Sequence, residues 1–417
     1  MIGLIRFWLR AQKPPPVPTS SRREVTSHPA DSRSRSGLNA PSIQIATLLM
    51  LVTCLRAANG QAAKPSSASD PEQLVRAGVA AQRAGDNGSA IEDFRKALAI
   101  KPQLAEAHAG LGSALAATGQ LDAAIDEDTR ALAATPNKTD LRMNLGMAYY
   151  QKGDLSQARE QFETLHAAMP LDVPTAVMLG YVYVKTGRNA DVVSLLTPLE
   201  RGHENNMDLE YVLAFGLIQS GNDKEGVPRM EKVARTTHRA DAYVIAGASL
   251  LHRQEMSDAR ADLDEAMRLD PSIPGLASMA GQARYALGDM EAATAAFQTA
   301  LRANPRDFNA NLDLGAIRLK ERDFANARPL LELALEIQPG VPIARLEMAK
   351  LEEATDRNAE AAALLEDLIM AEPNWMEPHW ELANAYYELD RPADGKRERM
   401  IAQELKMRRE EHETNHK

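Results

Sequence analysis

Across residues 139–172, apolar residues recur on two helical faces separated by a short polar break. Leu145, Gly146 and Tyr149 fall at helical spacing, which predicts one helix in the first half of the segment. Lys152-Gly153-Asp154 interrupts it, with a glycine that accepts the left-handed backbone of a helix end. Ala158, Phe162 and Leu165 then form a second apolar stripe. Pro170 stops that helix and pushes Met169 out of helical geometry.

This two-helix pattern returns along the chain. Pro102, Pro136 and Pro170 are 34 residues apart, as are Pro271, Pro305, Pro339 and Pro373. The gap from Pro170 to Pro271 is 101, three periods less one residue. Gly78, Gly112, Gly146 and Gly180 keep the same spacing, and so do Gly247, Gly281 and Gly315. Ala90, Ala124 and Ala158, then Ala259, Ala293, Ala327 and Ala361, form a third column. A fixed period of this length marks a stack of supersecondary units, with small residues where two helices must approach closely. The stretch 204–240 fits worst, because Gly216 lies 36 residues after Gly180 and Pro228 falls in the expected second helix. One degenerate repeat with a bent or shortened helix is expected there.

The pattern of a large residue, Leu-Gly, an aromatic, then Ala, an aromatic, Ala and Pro resembles the tetratricopeptide repeat family. Leu111, Gly112, Ala124, Ala131 and Pro136 carry it in one unit, and Gly281, Ala293, Phe297, Ala300 and Pro305 in another. Leu314, Gly315, Ala327, Ala334 and Pro339 carry it in the next. Ala349 and Ala383 depart from the glycine, and Asp128 from the second aromatic. The resemblance spans residues 71–390, about ten units. It implies an all-α solenoid of helix-turn-helix repeats wound as a right-handed superhelix, with first helices lining a concave groove that takes protein partners.

Length alone, 417 residues, would suggest two or three domains, but a repeat stack is one continuous body of neighbouring contacts. Net charge is −10; residues 1–42 hold seven Arg or Lys against Glu24 and Asp31, so the rest carries −15. An acidic body argues against non-specific nucleic-acid binding, which draws on clustered basic charge. Cys54 is the only cysteine, which excludes an internal disulfide and a cysteine-based metal cluster.

The N-terminal region reads as an address. Residues 1–42, with Pro14-Pro15-Pro16 and many Ser and Arg, form a disordered basic extension. Residues 43–55 are thirteen without a charge, short of the about 20 that a membrane-spanning helix needs. With the small residues that follow, 43–62 is signal-like, and 63–70 is a polar linker. The expected location is periplasmic or secreted. The alternatives are a membrane anchor through this segment, or a lipoprotein, since Leu51-Val52-Thr53-Cys54 resembles a lipoprotein box.

Candidate chemistry is sparse. His412-Glu413-Thr414-Asn415-His416 has the spacing of a zinc-protease helix, but its surroundings are charged and lack an apolar face, so it reads as a polar tail. His108 and His379 occupy the large position near the start of a first helix and read as packing residues. No phosphate loop or nucleophile elbow is evident. The expectation is therefore a protein with no enzymatic activity, no cofactor and no metal.

On the resemblance, the inward-pointing positions are Met143, Met147, Tyr150, Val177, Tyr181, Val184, Leu213 and Leu217. Methionine adapts to varied shapes, and tyrosine offers a ring with a hydroxyl. The strip is expected to receive an extended or helical apolar segment of another protein, the alternative being internal packing. Asn144 and Asn384 could belong to a terminal-carboxylate clamp of the family, but inward lysines are missing beside them. Residues 391–417, with Met400, Leu405 and Met407 on a sparse stripe, are expected to form a capping helix and tail, with a second docking surface as the alternative. The function expected is an exported protein-interaction scaffold; the alternatives are an accessory subunit of an envelope enzyme or polysaccharide system, and a structural spacer.

Overall fold

The structure is a computed structural model that describes residues 70–415, with the side chains up to residue 411. The basic extension, the signal-like segment with Cys54 and the linker before Asp70 lie outside the described residues, as do the side chains of His412, Glu413 and His416. The described residues form α-helices and no strand, and none of these helices is long and apolar enough to cross a membrane.

The chain divides into two compact units, at 229/230. The first holds α1 (Pro71–Arg83), α2 (Asn87–Ile100), α3 (Ala105–Ala117), α4 (Leu121–Ala134), α5 (Thr139–Lys152), α6 (Leu155–Ala168), α7 (Val173–Lys185), α8 (Asn189–Glu200) and α9 (Met207–Gln219). The division falls within α10 (Asp223–Thr237). The second unit holds α11 (Ala240–His252), α12 (Met256–Leu269), α13 (Leu276–Ala286), α14 (Met290–Ala303), α15 (Phe308–Lys320), α16 (Phe324–Ile337), α17 (Pro342–Ala354), α18 (Asn358–Ala371), α19 (Met376–Glu388) and α20 (Pro392–Asn415). Odd-numbered helices are the first of each pair and even-numbered helices the second. In both units a second helix packs on its own first helix and on the next one.

Local chemistry sets the boundaries. Asp86, Asp154, Asp289 and Asp323 each accept a backbone N–H of the second helix that they open, and Asp172 and Asp307 do so for first helices. The periodic prolines sit in the connections between pairs; Met169, before Pro170, has φ −137° and ψ 72°, outside the helical region. Within pairs, Gly153 has φ +88°, as the turn requires. The same turn position is left-handed at Gln254, Arg322, Asp356 and Asp390, where no glycine supplies it.

The core is a knob on each second helix pressed against a small residue of the first. Phe162 is fully buried, and a Cβ added at Gly146 would lie 2.6 Å from its Cε1 atom. Phe297 meets Gly281 likewise, and Leu331 meets Gly315. Burying such a side chain contributes about 1.5–3 kcal/mol. Each cluster reaches into the following pair: Phe94 of α2 packs with Leu111 and Leu115 of α3, and Phe297 of α14 with Leu314 and Ile317 of α15. A pair therefore completes its core only with its neighbour.

The stretch 204–240 keeps a full helix pair, contrary to the degenerate repeat expected, and the one residue missing from the period falls after Gly226. The counterpart of Gly180 is Ala214, 34 residues on and fully buried, not Gly216. Gly226 then takes the place of the small residue that Ala158 and Ala259 fill; its added Cβ would lie 2.7 Å from Ile218 Cγ1. The small residues of the two helices have exchanged identity, so the glycine column alone misleads. α10 is full length, 15 residues with Pro228 inside it, whereas the preceding second helix, α8, has 12.

Candidate functional site

The eight inward positions lie on three first helices of the first unit: Met143, Met147 and Tyr150 on α5, Val177, Tyr181 and Val184 on α7, Leu213 and Leu217 on α9. α7 packs directly on α9, and the rings of Tyr181 and Tyr211 stand 6.4 Å apart at 33°. Met147, Tyr150, Val177, Tyr181, Leu213 and Leu217 are buried; Met143 and Val184 are half-buried. Burial pushes the Tyr150 hydroxyl above its usual range, and pushes the Lys185 ammonium, next to Val184, below its own.

First helices of the second unit present a different surface. Asp313 on α15, Glu347 on α17 and Glu381 on α19 recur 34 residues apart. Burial pushes Asp313 up to about 6, opposed by a hydrogen bond from Gln282. It likewise pushes Glu353 up to about 7, with Glu381 adding to the effect. Lys350 is the cation among them: burial opposes its charge, but hydrogen bonds to Glu377 (2.6 Å) and Glu347 (3.0 Å) hold it above the usual value. Asn384 is exposed and donates to Glu381 at 3.5 Å. Asn144 is half-buried on α5. The acidic column was readable as a 34-residue spacing, hidden behind the apolar columns.

His108 and His379 are buried, and both are tied by hydrogen bonds. The Nε2 of His379 donates to the Pro373 carbonyl at 3.1 Å, while Nδ1 faces Glu398 Oε2 at 2.7 Å. His108 repeats the pattern with the Pro102 carbonyl (2.8 Å) and Glu127. Among the described residues, no group of three His, Cys, Asp or Glu side chains is placed to hold a metal ion.

On α20, Glu398 and Ala402 are buried against α19, and Leu405 is half-buried, whereas Met400 and Met407 are exposed. Of the stripe expected over Met400, Leu405 and Met407, Leu405 alone lies on the buried face. Arg391 stacks on Tyr386 at 4.1 Å and Arg399 on Trp380 at 5.2 Å, tying the two helices.

A tetratricopeptide repeat model matches residues 129–173 and 278–342, a second matches 318–385, and a TPR repeat model matches 83–119. Similar solved structures include a tetratricopeptide repeat protein from Parabacteroides merdae (18% identity, 58% of this chain and 97% of that chain, TM-score 0.47). Another is the APC/C hetero-tetramer Cut9-Hcn1 (11% identity, 81% and 88%, TM-score 0.47). A third is MamA, residues 41 to the end, from Desulfovibrio magneticus RS-1 (21% identity, 40% and 95%, TM-score 0.36). No curated protein matches the chain.

Proposed function

The chain belongs to the tetratricopeptide repeat family, and is on that ground a protein-interaction scaffold; we propose that it is exported and captures an apolar segment of a partner protein along the first helices α5, α7 and α9. The scaffold performs no reaction of its own. One observation carries the proposal: α5 and α7 set Met143 with Val177, Met147 with Tyr181 and Tyr150 with Val184 in one 34-residue register, with Met143 and Val184 still reachable from solvent, whereas Leu213 and Leu217 on α9 stand two residues out of it. Such a strip suits a helix or an extended strand presenting alternate apolar anchors. Export rests on the signal-like residues 43–62.

A photo-crosslinking amino acid at position 143 or 184 is expected to label one partner segment in envelope fractions, and the same group at exposed Ser194 on α8 is expected to label none. Equal labelling from all three positions refutes capture by the strip. N-terminal sequencing of the mature protein checks export separately; retention of residues before Ile43 refutes cleavage of the signal.

A further inference from the structure

We propose that the cleft between the second helices α2 and α4 is a separate docking site for a protein segment that carries an acidic side chain beside an apolar one. The cleft has a volume of about 630 Å³ and lies within the first unit. Leu98 of α2, Leu111 of α3 and Pro102 of the connection give it an apolar wall. Arg95 and Arg130 stand at its exposed rim.

The charges there are not balanced. The Glu127 carboxylate is already engaged on both oxygens, by His108 on one and by Arg130 Nη1 at 2.9 Å on the other. Arg95 makes no ion pair among the described residues. That leaves one guanidinium unsatisfied, and part of a second, beside apolar surface. A guanidinium offers a planar fork of donors that matches a carboxylate, and a desolvated apolar neighbour strengthens the pairing.

Three other repeats show how such a junction can be closed. At the position of Arg95, three later repeats carry an acid that binds a donor 20 residues on: Glu163 accepts from the Tyr183 hydroxyl (3.1 Å), Glu366 from the Tyr386 hydroxyl (2.6 Å), and Asp264 pairs with Arg284. These links close their junctions. In the first junction both halves are changed: the acid is Arg95, and the residue 20 further on is Leu115, which is buried. The junction lacks that link, and Arg95 puts a positive charge where those three repeats have a negative one. An external carboxylate would restore the missing half of the link.

The probe is the peptide acetyl-Phe-Glu-Leu-amide, titrated into the full chain and followed by methyl NMR of Leu98, Ala99 and Leu111. Saturable shifts confined to these methyls are expected, with a dissociation constant at or below about 1 mM. Binding is expected to weaken about tenfold for the Gln counterpart of the peptide, and about tenfold again in Arg95→Glu, an exposed position where an acid is native to other repeats. Arg95→Gln is expected to fall between. No saturable shift, equal binding of the Glu and Gln peptides, or unchanged binding in Arg95→Glu overturns the proposal. Competition by inorganic phosphate at equal concentration overturns it as well, since the cleft would then be a simple anion site. A sedimentation coefficient that falls in Arg95→Glu overturns it in favour of a second copy of the chain as the occupant.

Discussion

Replacing Asp128 with leucine should stabilise the first unit, because Asp128 occupies a knob position without a knob's chemistry. The equivalent residues are Phe94, Phe162, Leu196 and, in the second unit, Met230, Leu263, Phe297, Leu331 and Leu365, all fully buried. Asp128 is 1% exposed, and neither carboxyl oxygen has a hydrogen-bond partner. A Cβ added at Gly112 would lie 2.3 Å from its Oδ1, so the carboxyl sits where the other knobs press on their small residue. Burial, with Glu127 adding to it, pushes Asp128 from 3.8 up to about 8. The folded protein therefore holds it protonated at pH 7. Each pH unit between 3.8 and 7 costs about 1.4 kcal/mol, or about 4 kcal/mol in all. An apolar knob removes that penalty and gains about 2 kcal/mol of burial, against about 1–2 kcal/mol for imperfect packing. The expected net gain at pH 7 is about 4 kcal/mol.

The pH dependence identifies the cause. A carboxyl raised in the folded state contributes stability that is fully present below about 3.8 and is lost as pH rises towards about 8. The native chain should therefore lose stability in the first unit across that window, and Asp128→Leu should lose less. Asp128→Asn keeps the unpaired polar group without the ionisation, so it should flatten the slope with a smaller gain. Amide hydrogen exchange in α3 and α4 at pH 5 and pH 8 reads this pair locally, which a repeat array requires because its units need not unfold together. An Asp128→Leu chain no more protected than the native chain at pH 8, or an identical pH slope in both, refutes the reasoning.

Three further predictions concern other positions. Arg322→Gly should stabilise the second unit by about 0.5–1 kcal/mol in chemical denaturation, because φ +61° strains an L-residue, while Gly153→Ala should destabilise the first by about 1 kcal/mol. Gly146→Val should cost about 2–4 kcal/mol, read as a lower denaturation midpoint and partly rescued by Phe162→Leu, since the new side chain collides with that ring. Glu353 is held up at about 7 by burial and then by Glu381, so it contributes stability to the second unit that is present below about 4.5 and lost as pH rises through about 7; Glu353→Gln should remove that loss, seen in thermal melts at pH 5 and pH 8.

The helix pairs were legible because proline, glycine and alanine recur for steric reasons that do not depend on function. Wherever one residue type carried the role, the reading held, as at Gly146 with Phe162 and at Pro170. It failed where the role passed to another type. Ala214 and Gly226 exchange the small residues of their pair, so counting glycines shifted that repeat. Arg322 and Asp356 adopt the left-handed turn without glycine, because the packed helices on either side impose it. The exposure of the inward strip was not legible, because side-chain burial depends on neighbouring first helices whose spacing the sequence does not state, and the glycine count that shifted the repeat also moved Leu213 and Leu217 two residues out of register. On α20 only Leu405 of the expected stripe faces inward, for a similar reason: the buried face is chosen by Tyr386, Trp380 and His379 on α19, not by the helix's own few apolar residues.

The least legible feature links the repeats. A proline-bearing connection holds its proline at the second position, where the carbonyl has no helical partner and is open to a donor from elsewhere. Six residues later the next first helix supplies one: His108 to Pro102 at 2.8 Å, Asn311 to Pro305 at 3.0 Å, Arg345 to Pro339 at 3.0 Å and His379 to Pro373 at 3.1 Å. Three residue types serve one geometry, so no column of identical residues marks the position. What is shared is a nitrogen donor of sufficient reach. After Pro170 the position holds Ala176, which has no donor, and Asp172 instead caps α7 through the Thr175 N–H at 3.0 Å. The histidines differ from Asn311 and Arg345 in having a second ring nitrogen, and in both cases that nitrogen finds a carboxylate 19 residues on, Glu127 or Glu398. A histidine that looked like filler in the sequence thus ties a connection, a first helix and a second helix together at one point.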